Sequence, residues 1–440
     1  MSNDLRSAAL GAVERGIEPV RARLNCIPGL DKVFHDCFVN TLETTVQAEP
    51  GDTFVITGDI HAMWLRDSTA QVLHYLRFAD DADVALLIEG LIARQAKCVL
   101  IDPYANAFNR EPSDYKPYDD RPRASDWVWE RKYEVDSLCY PIWLAWRYFE
   151  KTGSRRIFTP DFAKMLGTIA RVFRTEQRHD ESPYRFERSN CPPSDTLPNG
   201  GMGAPVTETG MTWSGFRPSD DACQYGYLIP SELFAAQEMR HAASFARMIG
   251  NEALAAECDS LAKEIREGVE KFGHAAHPVY GDIYAYETDG LGHFNLMDDA
   301  NVPSLLGLPY LGVCAMDDPT YQRTRKFVLS ESNPYYYKGE FAKGVGSPHT
   351  PKGYIWPIAL CVQAMTSDDL DEIAGIVDTL MHTHAGCECM HESFDPDAPE
   401  KFTREWFAWA NSMFGELIFR LYEAGTLDEV LRRARKLREA

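Results

Sequence analysis

Apolar residues recur at spacings of three and four along most of the chain, which is the pattern of amphipathic helices. Alternating patterns typical of strands are few and short, for example at 52–58. Helical segments that follow one another in pairs, without a strand between them, predict an all-α toroid of paired helices. The predicted helices cover 31–48, 63–78, 82–98, 134–151, 160–176, 229–249, 251–271, 317–329, 353–366, 367–384, 404–423 and 426–438.

Four long segments rich in Pro, Gly, Asp and aromatic residues separate these helices, at 101–126, 182–228, 273–303 and 333–352. Loops of this length are uncommon in compact domains unless they carry function. None of the four is low in complexity, and no change of composition marks a domain boundary. We therefore predict a single domain over 1–440 whose long loops together form one ligand-binding face.

Charge and composition restrict the class of partner. The 440 residues include 66 acidic and 45 basic side chains, and the resulting formal charge of −21 opposes binding to nucleic acid or to an anionic membrane. The 11 cysteines are scattered through apolar segments, which is typical of reduced thiols. The first residues lack the apolar core of a signal peptide, so we expect a cytoplasmic protein. The sequence makes no prediction of the oligomeric state.

The first candidate site segment is TGDIHAMWLRDS, in which a turn holding Asp59 and His61 leads into a helix. That helix would begin near Trp64 and carry Arg66 and Asp67 in its first turn. Neighbouring helical residues diverge by about 100°, so we expect these two charged groups to contact a ligand rather than each other. A guanidinium fork and a carboxylate together bind the hydroxyls of a sugar ring. The alternative is a helix start stabilised by an acid.

The second segment, GMTWSGFRPSDDA, contains Trp213, Arg217 and the adjacent pair Asp220 and Asp221. Two carboxylates under an aromatic cluster form an environment in which one of them stays protonated near neutral pH and acts as a general acid. SDDA before an apolar run is also a good helix cap. We therefore expect one capping and one catalytic aspartate, and the residues alone leave open which is which.

The third segment, MHESFDPDAPEKFTREWFAWANS, places Glu392 in a predicted loop beside His391. A loop carboxylate between histidine and aromatic residues suits a general base that positions water. Arg404 and Glu405 are predicted to open the next helix. Glu405 is the rival base, although a glutamate in the first turn of a helix also has a purely electrostatic explanation.

Polar residues in three further segments are candidates either for sugar binding or for loop architecture. KYEVDS supplies Glu134 and Asp136, DDANVPS supplies Asn301, and GSPHTP supplies His349. The sequence contains no HExxH, P-loop, GxSxG or GxGxxG motif, which argues against zincin, nucleotide-dependent and serine hydrolase chemistry. No complete set of metal ligands has a sensible spacing, so we predict neither a metal nor a cofactor.

Five of these segments, TGDIHAMWLRDS, WSGFRPSDD, DDANVPSLL, GVGSPHTP and MHESF, together resemble glycoside hydrolase family 125, the exo-α-1,6-mannosidases. The resemblance runs from about residue 25 to 425. It implies an (α/α)6 barrel and a metal-independent, inverting hydrolysis of terminal α-mannose from mannosides or N-glycan-derived oligosaccharides. By matching motif it implies that Asp220 is the acid, with Asp221 less favoured, and that Glu392 is the base. It also implies that Arg66 and Asp67 hold the terminal sugar.

Other functions stay open at this point. An inverting hydrolase of the trehalase or glucoamylase kind would share the barrel and the two carboxylates but would differ in the residues that contact the hydroxyls. A non-catalytic glycan-binding protein would need neither acid nor base. A sugar epimerase would need paired histidines facing the ring, whereas His61, His349 and His391 lie in three separate segments.

Overall fold

The computed structural model describes residues 2–439, and in this range the chain forms fourteen α-helices. Most of them have nearly the bounds that the apolar spacing predicts. The helices are α1 (Ser2–Leu24), α2 (Leu30–Thr44), α3 (Leu65–Ala70), α4 (Ala82–Ile101), α5 (Val135–Thr152), α6 (Pro160–Glu176), α7 (Pro198–Gly201), α8 (Ile229–Met248), α9 (Glu252–Phe272), α10 (Pro319–Val328), α11 (Pro357–Met365), α12 (Leu370–His382), α13 (Ala408–Glu423) and α14 (Leu427–Glu439). A 3₁₀ helix, Leu73–Phe78, follows α3, so the predicted helix at 63–78 consists of two shorter elements.

The prediction omits helix α1. Its fully buried residues Val13, Ile17, Val20 and Leu24 do follow helical spacing, but Pro19 and several charged side chains interrupt the pattern. The helix packs against α2 and α4. No helix in the described range is both long enough and apolar enough to cross a membrane.

Short strands occupy the segments between the helices, and they are more numerous than the sequence predicts. Each pairs antiparallel with another short strand. Apart from the six-residue strand β16, they are two to four residues long, which is too short for a clear alternating pattern. The strands are β1 (Val46–Glu49), β2 (Asp52–Val55), β3 (Met63–Trp64), β4 (Ala107–Phe108), β5 (Asp120–Arg121), β6 (Val128–Glu130), β7 (Glu187–Arg188), β8 (Tyr227–Leu228), β9 (His274–His277), β10 (Gly281–Tyr284), β11 (Glu287–Thr288), β12 (Phe294–Asn295), β13 (Tyr336–Lys338), β14 (Lys343–Val345), β15 (Ser393–Asp395) and β16 (Ala398–Thr403).

The helices form two layers around a ring. Helices α5, α8, α11 and α13 are buried along most of their length, whereas α6, α9, α12 and α14 bury one face. The contacts α2–α13, α5–α8, α8–α9 and α11–α12 connect neighbours within and between the layers. Between α8 and α13 the ring is closed by the buried turns of 300–311, where the Tyr310 hydroxyl donates to Glu416 of α13. One core cluster extends from Ala9 to Ala434.

The N-terminal ends of four inner helices meet at one end of the barrel. Outer helices such as α4, α6 and α12 begin with side chains that cap the helix, Asp81, Thr159 and Asp369. The residues at the same position of α3, α5, α11 and α13 make no side-chain capping bond; they are Trp64, Glu134, Trp356 and Phe407. Because these four residues do not form the usual capping bond, we infer that they serve a role other than helix capping.

A larger cavity of ≈ 650 Å³ lies at the opposite end, between the C-terminal halves of α5 and α13. Its charged groups pair with one another, as Arg77 does with Glu423 at 3.2 Å and Arg420 with Glu416 at 2.7 Å.

Candidate active site

A narrow pocket lies where the N-terminal ends of the inner helices meet the long loops. The volume of this pocket is ≈ 50 Å³. Many residues singled out from the sequence line it, namely Trp64, Arg66, Asp67, Asp220, Asn301, His349, Glu392 and Arg404. The walls also include Thr57, Ile60, Pro218, Ser219, Trp356, Phe407 and Trp409.

Arg66 is the cation at the floor of this pocket, and it is almost fully buried. Its Nη1 donates to Glu134 Oε2 at 2.7 Å and to Asp136 Oδ2 at 3.1 Å, and its Nη2 donates to Asp220 Oδ1 at 3.3 Å. Its Nε lies 3.5 Å from Asp67 Oδ2. The expectation that Arg66 and Asp67 avoid each other is therefore wrong. The buried acids turn the guanidinium inward, and this leaves Nε facing Asp67.

Glu134 and Asp136 do not line the pocket, although the sequence made them candidates for sugar binding. Both side chains are fully buried, because they start helix α5 and point into the barrel behind Arg66. Their contacts with its guanidinium fix its orientation. The structure therefore places them as partners of Arg66 rather than against a sugar.

The adjacent aspartates lie in a tight turn, and neither caps a helix. Helix α8 begins only at Ile229, with Leu228 at its N-cap position, so the predicted capping aspartate is wrong. Asp220 has a left-handed backbone with φ 66°, and its side chain reaches the pocket. The Lys132 ammonium donates to the Asp220 carbonyl oxygen at 2.7 Å and holds the turn. The side chain of Asp221 instead lies 3.3 Å from His349 Nδ1.

Glu392 lies on the pocket wall, next to a chain of charged groups. Its Oε1 is 3.5 Å from Arg404 Nε, and Arg404 Nη1 is 3.4 Å from Asp59 Oδ1. Helix α13 begins at Ala408, so Arg404 lies in the bend before the helix rather than in its first turn as predicted. The rival Glu405 is exposed and outside the pocket lining. This placement favours Glu392 as the base.

Four further residues predicted to bind sugar lie outside the pocket lining, namely Asp59, His61, Trp213 and Arg217. Asp59 is exposed and contacts Arg404. His61 is exposed on the turn before β3. Trp213 is buried in the core, where its ring stacks on His179 with 3.5 Å between centroids. Arg217 donates from Nε to Glu287 Oε1 at 2.6 Å. An aromatic residue beside polar ones has the same local sequence whether it packs in a core or faces a ligand, so the segment GMTWSGFR could not distinguish the two.

Some buried polar atoms of the lining have no hydrogen-bond partner among the described residues. They are Thr57 Oγ1, Trp64 Nε1, Ser219 Oγ and Arg66 Nε, the last of which lies 3.5 Å from Asp67 Oδ2 without a hydrogen bond. Buried polar groups are nearly always hydrogen-bonded, so unpaired groups around one pocket indicate a polar ligand. Indole and phenyl rings form the remaining wall, which adds the apolar face that a sugar ring packs against.

Comparison with known proteins decides the class of this site. The family model described as metal-independent alpha-mannosidase (GH125) matches residues 28–419. The chain belongs to this α-mannosidase family. Its relatives include the meiotically up-regulated gene 157 protein of Schizosaccharomyces pombe, which is 40% identical, over 94% of this chain and 86% of that protein.

A solved α-mannosidase of Streptococcus pneumoniae, in a non-productive complex with α-1,6-mannobiose, is 45% identical to this GH125 chain. The match has a TM-score of 0.91 and covers 94% of this chain and 98% of that one. A bacterial glucoamylase complexed with acarbose shares the fold alone, with 14% identity and a TM-score of 0.57 over 92% of this chain and 57% of that one. The predicted (α/α)6 barrel and the predicted family are confirmed.

The acids around Arg66 in this α-mannosidase have unusual pKa values. Burial raises the pKa of Asp67 and the pKa of Asp136 to about 6, although Arg66 opposes the change. Burial also raises the pKa of Glu134 well above its usual range. For Asp220, burial is outweighed by Arg66, by a hydrogen bond with Glu134 and by Lys132, and its pKa falls below the usual range. Asp67 and Asp136 are therefore mostly ionised at neutral pH, and the opposite shifts of Glu134 and Asp220 favour a proton on Glu134 rather than on Asp220.

Because burial raises the pKa of these acids, we expect the α-mannosidase to be more stable to unfolding at pH 5 than at pH 8. Burial also raises the pKa of Asp298, to about 8. A carboxyl with a raised pKa binds its proton in the folded state but not in the unfolded chain, so stability falls as pH rises from about 4 through the folded pKa. We expect a loss on the order of a few kcal/mol across this window.

Thermal unfolding at constant ionic strength and pH 5, 6, 7 and 8 checks this prediction. Asp298→Asn removes the group with the highest of the quoted values, and it should flatten the profile. A melting temperature that rises steadily toward pH 8 would contradict it.

Proposed function

We propose that this GH125 protein is an exo-acting, inverting α-1,6-mannosidase. Its substrate would be the non-reducing terminal α-mannose of mannosides or of N-glycan-derived oligosaccharides, hydrolysed without a metal or a cofactor. The observation that supports this most strongly is that Asp220 and Glu392 line one narrow pocket with unpaired polar atoms and aromatic walls. The α-1,6 linkage is supported by the disaccharide bound to the Streptococcus pneumoniae relative.

In this proposal Asp220 is the general acid and Glu392 the general base. Asp220 gives its proton to the glycosidic oxygen while the bond to the anomeric carbon breaks. Glu392 takes a proton from a water molecule, whose oxygen attacks the anomeric carbon from the opposite face of the ring. Arg404, whose Nε lies 3.5 Å from Glu392 Oε1, orients the base. In the productive complex we expect the two carboxyl groups to be about 6.5 to 9.5 Å apart, which leaves room for the water.

The remaining lining residues would bind the terminal sugar. Asp67 accepts hydrogen bonds from hydroxyls, and Trp64 Nε1 and Thr57 Oγ1 supply polar atoms that no protein group uses in the described chain. Asn301 and His349 add further polar atoms to the same wall. A pocket this narrow favours recognition of a single terminal sugar, which agrees with removal of residues one at a time from a chain end.

We also propose that residues 1–440 act as one catalytic domain in the cytoplasm. The main core cluster, which extends over nearly the whole chain, supports a single domain. The 11 cysteines are free, and six of them are buried, as expected in a reducing compartment.

Hydrolysis of α-1,6-mannobiose in the presence of EDTA tests the proposal. We expect mannose release at the same rate with and without the chelator. Proton NMR of the first product should show β-mannose, because single displacement inverts the anomeric carbon. The α-1,2- and α-1,3-linked mannobioses should be cleaved more slowly.

Other outcomes would assign the protein differently. An α-mannose product would mean retention, and would require a covalent nucleophile. Loss of activity in EDTA that calcium or zinc restores would require a metal-dependent mechanism. Cleavage of maltose or trehalose with no cleavage of mannobiose would favour a hydrolase of the glucoamylase or trehalase kind.

A further inference from the structure

Glu134 and Asp220 are held side by side by the same two donors. Arg66 donates to Glu134 Oε2 at 2.7 Å through Nη1 and to Asp220 Oδ1 at 3.3 Å through Nη2. Asn106 Nδ2 lies 3.3 Å from Glu134 Oε1 and 3.2 Å from Asp220 Oδ1. Ser137 Oγ donates to Glu134 Oε2 at 2.7 Å. A guanidinium and an amide therefore bridge the two carboxyl groups on two sides.

The charges around this pair are unbalanced. The charged groups that surround Glu134 and Asp220 come from several elements. They are Arg66 and Asp67 of α3, Asp136 of α5, Glu130 of β6, Lys132 just after β6, and His349. Lys132 also pairs with Asp195, Glu130 with Arg188, and His349 with Asp221. Arg66 is thus the one guanidinium directly shared by four carboxyl groups. Glu134 is fully buried and the side chain of Asp220 is only 26% exposed, so two adjacent ionised carboxylates are costly here and the pair retains one proton.

We propose that Glu134 is a positioning residue that stores the proton of this pair and passes it to Asp220. This inference rests on the proposed role of Asp220 as the general acid. In the free enzyme the proton lies on Glu134 and is donated to the Asp220 carboxylate. The opposite directions of the two pKa shifts, Glu134 upward and Asp220 downward, agree with that arrangement.

Substrate reverses the position of the proton. A sugar in the pocket excludes water from Asp220, which favours its neutral form. The O–H bond of Glu134 then breaks and an O–H bond forms on Asp220. Arg66, Asn106 and Ser137 remain to stabilise the Glu134 carboxylate. Asp220 gives the proton to the leaving oxygen, and a solvent proton restores the pair after product release.

Asp136 provides a matched control. It is as buried as Glu134 and contacts the same nitrogen of Arg66, at 3.1 Å. Among the described residues the only donor that it shares with Asp220 is Arg66, whereas Glu134 also shares Asn106. Asp136→Asn therefore removes one acid from the cluster without touching the pair, whereas Glu134→Gln keeps the shape of the pair and removes its stored proton.

The test compares the pH dependence of kcat for wild type, Glu134→Gln and Asp136→Asn on α-1,6-mannobiose and on 2,4-dinitrophenyl α-mannoside. The amide that Glu134→Gln introduces can donate to Asp220 but cannot give up a proton, so it holds Asp220 ionised. For mannobiose we expect the alkaline limb of the plot of kcat against pH to move to a lower pH by about one unit. At pH 7, kcat should fall at least about tenfold and KM should be nearly unchanged. The dinitrophenyl leaving group needs little protonation and should be nearly unaffected. Asp136→Asn should move the limb much less.

Infrared spectra of protein labelled with ¹³C at the glutamate carboxyls give a readout that does not depend on activity. The difference spectrum of wild type minus Glu134→Gln at pH 7 should contain a protonated-carboxyl stretch that is absent from wild type minus Asp136→Asn. Glu232 and Glu238, whose pKa burial also raises, are common to all three proteins and cancel. An unchanged spectrum in Glu134→Gln would overturn the proposal, and so would an unmoved alkaline limb, an equal loss on both substrates, or an equal shift in Asp136→Asn. If wild type cleaves no mannoside, the proposed function fails, and the spectra still decide where the proton lies.

Discussion

Glu392→Gln should reduce the turnover of every α-mannoside by roughly 10² to 10⁴-fold, whatever the leaving group. Every substrate needs an activated water, and the amide can bind this water but cannot accept its proton. The substitution keeps the size of the side chain beside Arg404, so KM should change little. Steady-state kinetics on α-1,6-mannobiose and on 2,4-dinitrophenyl α-mannoside measure the effect.

Two controls accompany this variant. Glu405→Gln changes the rival carboxylate, which is exposed and outside the pocket lining, and should behave like wild type. Azide is a nucleophile that needs no base, so in Glu392→Gln it should restore consumption of the dinitrophenyl substrate and yield β-mannosyl azide. If Glu405→Gln abolished turnover while Glu392→Gln did not, the base would have to be reassigned.

Asp220→Asn should reduce hydrolysis of α-1,6-mannobiose by a similar factor, roughly 10² to 10⁴-fold, but should affect dinitrophenyl α-mannoside far less. The difference arises because a sugar leaving group must be protonated as it departs, whereas dinitrophenolate is stable as an anion. Asparagine is among the few residues that tolerate the left-handed backbone at position 220, so the turn should persist.

The neighbouring aspartate is the control for the acid. Asp221→Asn loses a contact with His349 but leaves the carboxyl that reaches the pocket. It should retain much of the mannobiose activity and show no dependence on the leaving group. The reverse result, with Asp221→Asn inactive on mannobiose alone, would make Asp221 the acid and leave the rest of the mechanism in place.

Elements that depend on local spacing were predictable from the sequence. Helix α6 spans Pro160–Glu176, the same range that its apolar pattern predicts, because one face packs on the barrel and the other meets water. The pocket residues Arg66, Asp67 and Glu392 could also be predicted from the sequence, because each lies in a motif of unusual composition.

Features that depend on contacts between distant segments were not predictable. Asn106 and Lys132 reach the Asp220 turn from other parts of the chain, and nothing in their own segments reveals that contact. The same limit explains Trp213, whose aromatic partners come from segments far away in sequence. A local signal does exist at the helix starts, where Trp64 and Trp356 replace the usual polar cap. Taken together, tryptophans at helix N-cap positions indicate the end of the barrel at which the pocket lies.

The crowding of carboxyl groups around this pocket also bears on inhibitor chemistry. Asp67, Asp220 and Glu392 line the pocket in which, under the proposed mechanism, the sugar ring would acquire positive charge at the transition state. A ring in which a protonated nitrogen replaces the oxygen or the anomeric carbon carries that charge permanently. Such an iminosugar would be attracted by all three acids, and its affinity would weaken in acid as Asp67, whose pKa is raised to about 6, becomes neutral. A neutral mannose analogue of the same shape would lack both the attraction and its dependence on pH.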